Sequence, residues 1–80
     1  MSLHLVFSLA ALEPCRTRRL DGDVTVLLGD GVYNAGPAPE CLVLIEDAEV
    51  RGVACDNPQL DYAGLVDLCT HHAPIVSWND

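Results

Sequence analysis

The sequence predicts an α/β fold: a mainly parallel sheet flanked by helices. Two observations carry this. Apolar runs suited to strands alternate along the chain with stretches of helical spacing, the order of successive strand–helix–strand units. The runs 24–28 and 41–45 are also apolar at nearly every position, as expected of strands covered on both faces.

Residues 3–7 read as a short first strand. Ser8 is placed to cap the next element, and 10–20 has helix-forming content interrupted by Pro14. Proline lacks an amide hydrogen and clashes with the preceding turn, so either the helix kinks at Pro14 or Pro14 is its first residue. In the second case Cys15 lies in the first helical turn, where free amides and the helix dipole favour a thiolate. Residues 21–23 (Asp-Gly-Asp) form a turn and 24–28 the clearest strand. A short helical turn is expected at 31–35, a loop at 36–39 and a third strand at 41–45. Residues 46–51 read as an acidic helix ending at Gly52, and 53–58 as irregular chain or a short edge strand. In 60–72, Leu60, Ala63, Leu65, Val66, Leu68 and Cys69 recur at helical spacing. Asp61 favours its start and Pro74 stops it, before a last strand at 75–78.

Eighty residues make a single domain, 1–80, with a modest core. Half of the residues are hydrophobic, so part of the apolar surface is expected to face another protein. The net charge is −8, with four arginines and no lysine. Nucleic-acid binding begins with phosphate neutralisation, so direct nucleic-acid binding is not expected. No run reaches the roughly 18 to 20 apolar residues of a membrane span. The apolar start of the chain lacks a basic leader and meets Glu13-Pro14 at once, so a cytoplasmic protein is expected.

Four cysteines, at 15, 41, 55 and 69, are expected as free thiols in such a reducing compartment. Cys15 stands beside Arg16, Arg18 and Arg19. Positive charge favours ionised sulfur, which makes Cys15 the candidate reactive thiol and the three arginines its candidate stabilisers; their number argues for a polar, accessible environment. Cys41 and Cys69 lie on apolar faces and read as core, and Asp56 disfavours a thiolate at Cys55. The spacing of Cys55, Cys69, His71 and His72 fits no common zinc pattern. Residues 29–33 (Gly-Asp-Gly-Val-Tyr) lack a nucleotide-binding glycine pattern, so the glycines read as a turn and no cofactor is called for. Trp78 is read as a contact to another subunit.

The chain resembles the DsrH/TusB family of sulfur-relay proteins, within the DsrE-like superfamily. The resemblance is carried by Leu3-His4, Gly22-Asp23, Asp30-Gly31-Val32-Tyr33, the run from Glu46 to Gly52, Asp61-Tyr62, the run from Leu65 to Leu68, a histidine at 71 or 72, and Ser77-Trp78. It spans nearly the whole length and rests on the order and spacing of these pieces. It implies a small Rossmann/flavodoxin-like (DsrE-like) fold and a hetero-oligomer with two homologous subunits. It also implies transfer of persulfide sulfur between donor and acceptor carrier proteins. In one branch that sulfur reaches the wobble uridine of certain tRNAs as a 2-thio group; in the other it is trafficked during oxidation of reduced sulfur compounds. Cys15 occupies, by its spacing to Gly22-Asp23, the place of a first-helix cysteine that some members carry, the candidate persulfide site. Other members lack it, which leaves open a non-catalytic structural subunit. Pro14 departs from the family pattern.

Overall fold

A computed structural model of the chain describes residues 1–79. Five strands form one sheet: β1 (Leu3–Val6), β2 (Val24–Leu27), β3 (Leu42–Leu44), β4 (Gln59–Leu60) and β5 (Ile75–Trp78). All neighbouring strands are parallel, in the order β4-β3-β2-β1-β5. Three α-helices connect them: α1 (Leu12–Arg18), α2 (Ile45–Arg51) and α3 (Tyr62–His71), with a 3-10 turn over Gly29–Asn34. The expected α/β class and parallel sheet are therefore present. None of these helices is long and apolar enough to cross a membrane.

The alternation of side chains along each strand separates two apolar layers. Val6, Leu27 and Val43 point to the side of α1, the 3-10 turn and α2, and pack with Leu12, Cys15, Val32, Cys41 and Ala48. Leu3, Val26, Leu28 and Leu44 point to the other side, where α3 covers them with Leu65, Leu68 and Cys69. The polar strand residues His4 and Thr25 face the first side, and both are buried.

Local differences from the sequence expectation have physical causes. Helix α1 begins at Leu12, so Pro14 is its third residue, inside the first turn, where an amide is not needed for a helical hydrogen bond. The helix runs through Pro14 without a break. Ser8 does not cap α1; the N-cap is Ala11, and the Ser8 hydroxyl is buried without a hydrogen-bond partner. The Ser8 carbonyl instead accepts from Ala11 N–H and from Asn34 Nδ2. The fourth strand lies at Gln59–Leu60, not within 53–58; two residues are too few to leave a periodic signal. Helix α3 consequently starts at Tyr62, with Asp61 Oδ1 accepting from Gly64 N–H at 2.8 Å.

The Gly29-Asp30-Gly31 turn is a packing device. Gly29 has φ 56°, and a Cβ on Gly31 would overlap the carbonyl group of Val6. Both glycine amides are already committed. Gly29 N–H donates to Asp47 Oδ2 at 2.7 Å, and Gly31 N–H donates to the Leu28 carbonyl. A carboxylate of the chain itself thus takes up the first amide of the turn.

Candidate functional site around Cys15 and the adjoining cleft

Cys15 lies on the inner face of α1, and none of its surface is exposed. Its amide donates to the Ala11 carbonyl, so it is the first residue of the helix with its own intrahelical bond and has no free amide to offer a thiolate. Burial pushes the Cys15 thiol above its ordinary pKa. Two groups oppose this, the Arg19 charge and a hydrogen bond from Thr25, while Asp23 adds to it. The expected polar, accessible surroundings are corrected on this point: Cys15 belongs to the buried apolar cluster that also holds Val6, Leu27, Val43 and Cys41.

The three arginines part company. Cys15 and Arg19 are four residues apart, one turn from each other, with Arg19 at the C-cap of α1. Arg19 donates from Nη1 to Thr25 Oγ1 at 2.9 Å and from Nη2 to Glu40 Oε2 at 2.8 Å. Arg16 points elsewhere, to Glu13 Oε2, the Pro37 carbonyl and Glu40 Oε2. Arg18 is exposed, with no hydrogen bond or ion pair among the described residues. Of the three candidate stabilisers, only Arg19 acts on the Cys15 sulfur.

Glu40 is the residue that sequence proximity hid. It lies 21 positions beyond Arg19 and takes up the charge of both Arg16 and Arg19. Burial works against its charged form, but hydrogen bonds from its own amide and from Arg19, with the charges of Arg16 and Arg19, hold its carboxyl below the ordinary value. The same carboxylate raises the neighbouring Cys41 thiol. Burial comes first there and Glu40 second, and together they push Cys41 to about 11 against the pull of Arg19. Burial thus shifts both thiols toward their protonated forms. All four cysteines are free, as the sequence led one to expect.

Beside this cluster opens a cleft of about 370 Å³, lined by Arg19, Asp21, Val24, Thr25, Glu40 and Leu42 among others. Its origin is the sheet register. Pairing of β2 with β3 starts at Val26 and Leu42, so Val24 and Thr25 run on past the beginning of β3. The cleft therefore lies at the amino ends of the strands. Open α/β sheets ordinarily bind ligands at the carboxyl ends.

A second polar group, the half-buried Asp23, lies in the α1–β2 turn and also lines the cleft. Asp23 accepts from Ser2 N–H at 2.9 Å, Leu20 N–H at 3.0 Å and His4 Nε2 at 2.9 Å. These bonds, that from His4 foremost, hold the Asp23 carboxyl far below the usual carboxylate range. Trp78 Nε1 donates to His4 Nδ1 at 3.0 Å. An indole is a donor only, so His4 carries its proton on Nε2. With both ring nitrogens engaged and 5 % of the residue exposed, His4 has no free position for a substrate proton. Trp78, expected as a subunit contact, is partly buried against the α1-side layer and anchored inward. The three residues are too far apart in sequence to announce this arrangement.

No protein-family model matches the chain, and no curated protein does either.

Proposed function

We propose that this chain is a subunit of a cytoplasmic sulfur-relay complex, working with two homologous DsrE-like subunits to pass persulfide sulfur toward 2-thiolation of a tRNA wobble uridine. The sequence resemblance and the parallel α/β sheet support the family reading. Its role is structural: it shapes the assembly, and a partner's cysteine carries the sulfur. The observation behind this choice is the complete burial of Cys15, with a thiol shifted away from ionisation. Relay requires a thiolate to attack the sulfane sulfur of a donor persulfide; an S–S bond forms, the donor leaves as a thiolate, and no net oxidation occurs. A protonated thiol inside an apolar layer is a poor participant. The competing reading, Cys15 as a carrier, rests on Arg19 and Thr25, which both pull its thiol toward ionisation. Its use in sulfur-oxidation trafficking has no separate support in the geometry.

Intact-mass spectrometry after incubation with a small-molecule persulfide donor separates the two roles. The expected result is no gain of about 32 Da at Cys15, alone or with the partner subunits, and full sulfur flux from a Cys15→Ser chain in a complemented strain. A persulfide mapped to Cys15, with flux lost in Cys15→Ser, overturns the structural role. Failure to assemble with any DsrE-like subunit overturns the family reading itself.

A further inference from the structure

The two edges of the sheet are built differently. Strand β4 has two residues, preceded at once by Pro58 and followed by Asp61. Shortness, proline and charge are the usual protections of an edge. Strand β5 has four residues in unbroken register with β1, and no charged residue lies anywhere in 73–79. Leu3 N–H donates to the Pro74 carbonyl and Phe7 N–H to the Trp78 carbonyl. Even-numbered positions of β5 therefore face β1, and alternation turns the amides and carbonyls of Ile75 and Ser77 to the open side. Pro74 precedes the strand and blocks none of them. On the α3 side of the sheet, Ile75 is 45 % exposed, and Leu5 of β1 and Phe7 just beyond it are only partly buried. The bare edge thus continues into apolar surface.

We infer that the open edge of β5 is a self-docking edge: two copies pair β5 against β5, antiparallel across a two-fold axis, joining two five-stranded sheets into one. A two-fold centred on Val76 sets Ile75 opposite Ser77 of the second copy, and each such pair exchanges two backbone hydrogen bonds. The two-fold register, in which the strip pairs with itself, selects a second copy as the occupant, and charge admits it. The chain carries −8, and this uncharged strip lets two copies approach without placing like charges opposite one another. Pairing also covers Ile75 in a chain with a small core. The inference does not depend on sulfur chemistry.

Sedimentation velocity of the full chain over a range of micromolar concentrations tests it. The expected result is a dimer whose Ile75 and Ser77 amides are protected from hydrogen exchange. Ser77→Pro removes an outward amide without touching the ladder to β1, and Ile75→Lys adds the charge the edge lacks. Each is expected to weaken dimerisation at least tenfold with an unchanged far-UV circular dichroism spectrum. A wild-type chain that stays monomeric, or a dimer that leaves these two amides unprotected, overturns the inference. So does a dimer that survives Ile75→Lys, or β5 that pairs only with a different subunit. If Ser77→Pro fails to fold, the lysine variant and the exchange pattern still decide.

Discussion

Asp23 shows how much of this molecule turns on single polar groups held by several hydrogen bonds. Its carboxylate takes three hydrogen bonds, two from main-chain amides and one from His4. Its folded pKa lies below its unfolded value of about 3.9, so the stabilisation is complete above that value. It is lost as pH falls through the unfolded and then the folded pKa. Asp23→Asn is expected to lower stability near neutral pH and to flatten the loss on acidification below about pH 4. Urea midpoints measured at several pH values check this; an unchanged slope counts against it. Trp78→Phe keeps most of the packing but leaves His4 Nδ1 buried without a donor, an expected loss of about 1–3 kcal/mol measurable by denaturant unfolding. Cys15 illustrates the opposite limit of sequence reading. That Arg19 acts on its sulfur follows from helical spacing alone. That Glu40 draws off the same arginine, and that Cys15 is buried in one cluster with Val6 and Leu27, comes from residues distant in the chain.

Among the elements, the buried strands were the most legible, because continuous apolarity marks a strand covered on both faces. The 3-10 turn after β2 was legible as a glycine turn, but not the reason for its second glycine. Gly31 brings the main chain against the Val6 carbonyl, leaving no space for a Cβ. Gly31→Ala is expected to cost about 1–3 kcal/mol, the usual range for overpacking. Gly36→Ala, with open space around it and no positive φ, serves as a near-neutral control in the same thermal melts. A Gly31→Ala chain as stable as the control removes the close-approach argument. The start of α1 was poorly legible: with Ala11 as N-cap and no side-chain cap, the sequence offers no marker of where the helix begins. Strand β4 was illegible because β3 recruits its two residues by register, beginning where Val43 N–H reaches the Pro58 carbonyl.

At the scale of the molecule, composition raised an expectation without naming a place. High hydrophobic content in so small a chain implied apolar surface turned toward another protein; the structure distributes that surface unevenly, with Ile75 on the bare edge and Tyr62 and Val66 exposed on α3. The strand order has one further consequence. Strand β1 is central, flanked by β2 on one side and by β5, the last strand of the described chain, on the other. His4 and Trp78 are separated by 74 positions yet hydrogen-bonded. During synthesis from the amino end, β1, α1, β2, β3 and α2 can all associate while one side of β1 remains bare. One flank of β1 is therefore completed only by residues more than seventy positions downstream, and the central strand of the sheet depends on that distant segment for half of its main-chain pairing.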